Sequence, residues 1–151
     1  MTQARSCDSN NACKTFVRAS LAVNIVVLIA VCTVVIAPVR PEAVTLALGP
    51  PTPGRGILLS VYFAILIDSV ILLGLHLYCS DTAPVEYMIA ALLATQVLYK
   101  ISTPATAGVG NPVAISNLCI SVLHTSTLYL LWRGHTRRVS AAPASLAMHA
   151  N

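Results

Sequence analysis

From Ala19 to Val39 the sequence carries no charge and nothing more polar than Ser20, Asn24 and Thr33. At 1.5 Å per residue, about 20 helical residues cover the roughly 30 Å hydrocarbon layer of a bilayer, so this run reads as a membrane span. The apolar core of a cleaved signal peptide is shorter, about 7 to 15 residues, and precedes an A-x-A-like site that has no clear counterpart here. Pro38, followed by Arg40-Pro41-Glu42, marks the exit into water.

Composition extends the argument to the whole chain. Of 151 residues, 56% are hydrophobic and 9% charged, and the mean hydropathy is +0.78. A soluble domain carries roughly 25% charged residues, so a water-facing surface cannot be built from this set. The net charge of +4 does not point to nucleic acid, because the basic residues are thinly spread and mostly flank apolar runs, where they set topology. Cys7, Cys13, Cys32, Cys79 and Cys119 form no C-x-x-C pair, so neither a disulfide framework nor a metal site is expected.

The rest of the chain divides at its prolines and glycines. The sequence predicts an all-α, single-domain membrane bundle of four transmembrane helices, over about 17–39, 56–79, 84–101 and 113–132. Residues 1–15 form a polar N-terminus. Residues 40–55 form a loop whose Gly49-Pro50-Pro51-Thr52-Pro53-Gly54 stretch cannot hold a helix, with mildly apolar Ala43 to Leu48 resting on the membrane surface. A second loop covers Ser102 to Pro112, and the basic tail from 133 to 151 is expected to be disordered. Tyr62, Tyr78, Tyr87 and Tyr99 lie towards span ends, as an aromatic belt predicts.

Four crossings place the N-terminus, the loop after the second span and the C-terminus on one side. That side holds Arg5, Lys14, Arg18, Arg133, Arg137 and Arg138, against Arg40, Arg55 and Lys100 on the other. The excess of six over three predicts cytoplasmic termini.

Asp68 is the most informative candidate. It sits near the midpoint of the second span, where a carboxyl costs about 2.5 to 3.5 kcal/mol to insert and so should face a cavity, a bundle interior or a partner. Ser60, Ala64 and Asp68 recur every four residues, a small-residue face that another helix could approach closely. In the last span Asn117, Ser121, His124 and Thr125 share one face, and His124 is also near mid-depth. An Asp68 to His124 contact is the expected centre, serving either as a structural bond between helices or as a proton-coupling site. Gln96 in the third span and Asn24 in the first, four residues after Ser20, would complete a polar interior. Lys100 is expected to snorkel to the outer interface, with His76 and Glu86 near the inner one.

No H-E-x-x-H, G-x-S-x-G or phosphate-cradling glycine loop occurs. Bis-histidine haem would need His76 and His124, which stand about 12 Å apart in depth. No catalytic residue, metal or cofactor is therefore expected. The functional expectation is a non-enzymatic protein that binds or conducts a small solute or proton through the polar interior. The alternatives are an assembly or scaffolding subunit of a membrane complex and, less favoured, a lipid-modifying enzyme. Expected partners are membrane lipid and another membrane protein or a second copy of the chain.

Overall fold

The computed structural model describes the backbone over residues 2–37, 42–50, 52–79 and 82–148, with side chains described between Asn11 and Ser140 except residue 43 and those in the gaps. Its elements are α1 (Thr2–Ile36), α2 (Glu42–Leu48), α3 (Pro53–Tyr78), α4 (Ala83–Ala107) and α5 (Pro112–Met148). The described residues contain no strand.

Local chemistry sets the boundaries. Thr52 caps α3, its hydroxyl accepting from the Arg55 amide at 3.4 Å, and Pro53 follows where a missing amide costs nothing. Asn111 starts α5 in the same way, Oδ1 accepting from Val113 N at 2.8 Å ahead of Pro112, while its Nδ2 donates to Ala47 O of α2 at 3.0 Å. Gly108 ends α4 with φ of +87°, a conformation L side chains rarely adopt.

Three helices are long and apolar enough to cross a membrane: Asn11–Ile36, Pro53–Tyr78 and Pro112–Ser140. The third expected span, 84–101, falls on α4, which at 25 residues has the length but carries Glu86, Gln96 and Lys100, and does not reach the same apolarity. Other expected boundaries also move. Helix α4 continues through Pro104 to Ala107 where a loop was expected from Ser102, because a proline near the last turn forfeits only one backbone bond and the Gly108 amide still closes on Pro104 O at 3.0 Å. Residues 133–148, expected to be disordered, continue α5, and residues 2–15 belong to α1. The apolar stretch in the first loop forms the short helix α2.

Helix α1 packs on α3 and α5, and α4 packs on α5 and α3, which closes a ring of four with α1 opposite α4 and α3 opposite α5. The inward positions follow a repeat of three and four residues: Val17, Leu21, Asn24, Leu28 and Cys32 on α1, and Ala114, Asn117, Ser121, His124 and Leu131 on α5. That spacing is the seam of nearly parallel packed helices. Two apolar clusters form in the interior. One joins Val17, Leu21, Leu72, Ile89, Leu93 and Leu131; the other joins Leu28, Cys32 and Tyr62 towards the end where α1 finishes and α3 starts. Outward positions are apolar as well, among them Val26, Ile29, Phe63, Ile71, Leu98 and Val122, the reverse of a water-facing surface.

Candidate functional site

Polar side chains line the interior in layers, and each helix contributes through its inward seam. On α3 the ladder has a spacing of seven: Arg55, Tyr62, Ser69 and His76 are all buried. At mid-depth Ser20 Oγ and His124 Nδ1 share a hydrogen bond of 2.6 Å between α1 and α5. One turn further along α1, Asn24 Nδ2 donates to Ser69 Oγ at 2.7 Å, and the Ser69 hydroxyl in turn donates to Ile65 O. Nearer the end where α1 finishes, Asn117 Nδ2 donates to Thr103 Oγ1 at 3.0 Å and joins α5 to α4. Ser121 is buried but satisfied within its own helix, donating to Asn117 O. Such bonds hold helices together in lipid, where no hydrophobic force separates helix from solvent.

Five of the six residues expected to form the interior are there: Asn24, Gln96, Asn117, Ser121 and His124 are all buried. Asp68 is not. It is exposed on the outer face of α3, with no hydrogen bond or ion pair among the described residues, and Ser60 and Ala64 face outward with it. Two facts exclude the expected contact with His124. Helices α3 and α5 are diagonal in the ring rather than adjacent, and Asp68 lies about 100° around the helix from the inward-facing Ser69. Thr125 is likewise exposed, one position past the seam.

Lys100 takes the place that Asp68 was expected to hold. Expected at the interface, it is instead 2% exposed, the largest of the fully buried side chains. Its Nζ donates to Gln96 Oε1 and to Tyr99 Oη, both at 2.8 Å. Tyr62 and Tyr99, expected in the aromatic belt, turn towards each other with ring centroids 6.5 Å apart. Tyr78 and Tyr87 do face outward. Gln96 Nε2, His124 Nε2 and, on Arg55, Nε and Nη2 have no hydrogen-bond partner among the described residues.

Lys100 borders a cavity of about 360 Å³ between α1 and α5, beneath α2. Its walls are Val27, Val31 and Val34 of α1 with Ile120 of α5, and its polar edge is Lys100, Tyr62, Tyr99 and Asn117. This volume lies within the roughly 300–1,000 Å³ range of small-molecule sites. At the opposite end of α4, Arg138 Nη2 meets Glu86 Oε2 at 2.6 Å, and Tyr87 and His135 pack edge to face.

The sequence contains one signal that points to this arrangement: polar and aromatic residues seven apart on α3, a ladder that Asp68 does not join. Comparison with family models, with curated proteins and with solved structures returns no match to this chain.

Proposed function

We propose that this chain is a four-span membrane protein that binds a small solute in its helical interior, with both termini cytoplasmic. The observation that carries solute binding is Lys100, a buried ammonium at the polar edge of a cavity lined mostly by apolar side chains. Taking a charge out of water costs several kcal/mol unless it is paired, and an anionic or polar group of a bound solute would offset that cost at Lys100. Binding is favoured over conduction because the cluster around Leu21, Ile89 and Leu93 fills the interior on the other side of the polar layer.

The fourth crossing is supported by the way α4 runs beside α5. The pair is joined near one end by Asn117 and Thr103 and near the other by Arg138 and Glu86. Between those bonds α4 advances about 25 Å, close to the depth of a hydrocarbon layer. With four crossings the excess of basic residues falls on the side of the termini.

Native mass spectrometry of the chain released from a neutral detergent tests the solute reading. The expected spectrum has a monomer carrying a small bound mass that Val31→Trp removes by filling the cavity wall. A chain free of adduct in every preparation and found only in larger assemblies would contradict it. That outcome belongs to the second reading, an assembly subunit, which one observation favours: Asp68 faces outward from a membrane helix, where a partner's side chain would offset its insertion cost.

A further inference from the structure

We propose that the cavity beneath α2 binds a single-chain amphiphilic acid, with its carboxylate against Lys100 Nζ and its alkyl chain along Val27, Val31, Val34 and Ile120. This rests on the solute-binding reading above and assigns that solute a chemical class.

Charge supplies the first argument. The Lys100 ammonium has three N–H donors and spends two on neutral oxygens, Gln96 Oε1 and Tyr99 Oη. No carboxylate of the described residues pairs with it; Glu86 pairs with Arg138, Asp68 faces outward, and Glu42 is exposed at the start of α2. A buried cation held only by neutral acceptors is completed by an anion, and one remaining N–H suits a monoanion.

Shape supplies the second. Lys100, Tyr62, Tyr99 and Asn117 form the polar edge of the cavity and mostly aliphatic side chains form the rest, so the site has a head end and a tail end. A volume of about 360 Å³ accommodates one alkyl chain, whereas a diacyl lipid would need far more. Access supplies the third. Ala30 and Val34 of α1 and Ser116 of α5 line the cavity and are exposed on the bundle surface, so a chain can reach the site sideways from the bilayer.

The test titrates radiolabelled decanoate, and separately decanol, into the full chain reconstituted in phosphatidylcholine nanodiscs, with empty nanodiscs subtracted. Decanoate is expected to bind saturably and about tenfold or more tighter than decanol, and Lys100→Met to remove that preference while Lys100→Arg keeps it. Val31→Trp, which leaves Lys100 in place, is expected to abolish binding of both probes. It therefore carries the test should Lys100→Met fail to fold. Equal affinity for the two probes, or a Val31→Trp variant that binds as the wild type does, overturns the proposal. If both probes bind equally and Val31→Trp blocks both, the acid is refuted while solute binding stands. If neither probe saturates, the acid is refuted, and the native mass measurement decides solute binding on its own. Lipid extracts separate the two sources of such an acid. Enrichment of free single-chain acid in wild type over Lys100→Met identifies the bilayer as the supplier, and intact decanoate binding without enrichment identifies the aqueous phase; either supports the site.

Discussion

Ser20 Oγ on α1 and His124 Nδ1 on α5 stand 2.6 Å apart, and neither side chain reaches the surface. This pair occupies the middle of the bundle and joins two neighbouring helices, the position an acid on α3 cannot reach across the diagonal.

The pair makes a double-mutant prediction. Ser20→Ala strands a buried ring nitrogen and should cost about 1–3 kcal/mol, whereas Ser20→Ala combined with His124→Leu removes both polar groups and should cost less than the sum of the single changes. Thermal or denaturant unfolding in detergent reads this directly. Strict additivity would mean that the bond contributes nothing.

The proposed fourth crossing makes a labelling prediction. Cys79 ends α3 and is exposed, and Gly110 lies in the turn after α4 with open space around it. In a chain with its other cysteines replaced, a membrane-impermeant maleimide should reach Cys79 only from the cytoplasmic side, and a Gly110→Cys variant lacking Cys79 only from the opposite side. Reaction of both from one side would leave α4 uncrossed and put the two termini on opposite sides.

The outward-facing acid makes a third. Among the described residues Asp68 has no partner to lose, so Asp68→Leu should relieve about 2.5–3.5 kcal/mol of insertion cost and raise the amount of protein in the membrane. Quantitative immunoblotting of membrane fractions checks it. A fall in abundance together with loss of a cross-linked higher assembly would instead give Asp68 a partner in another chain.

Much of this architecture is written in the sequence at the level of hydropathy. Charge-free runs mark α1 and α3; Asn117, Ser121 and His124, which share a face by their spacing, lie inside the bundle with Asn24 and Gln96, while Thr125 of that face is exposed. The orientation of α3 is harder to read, because both of its faces are apolar and the choice between an inward Asp68 and an inward Ser69 depends on which neighbours the helix has. Mid-membrane depth argues that an acid needs shelter; it does not say which way the helix turns. The ladder Arg55, Tyr62, Ser69 and His76 contains that information, since polar and aromatic residues recurring at seven gather on one face of the helix. Lys100 was misleading for a related reason. Its place near the end of a span suggests snorkelling, yet four residues earlier Gln96 offers an acceptor on the same inward face, and the side chain turns to it.

The central claim is that the working interior is organised by Lys100 and not by Asp68. Its most direct test compares the bound mass retained by Lys100→Met and by Asp68→Asn, both purified from the same membrane and both shown to be folded. Loss of the bound species in Lys100→Met with wild-type occupancy in Asp68→Asn is the predicted result; the opposite pattern, with Asp68→Asn empty and Lys100→Met loaded, would contradict it.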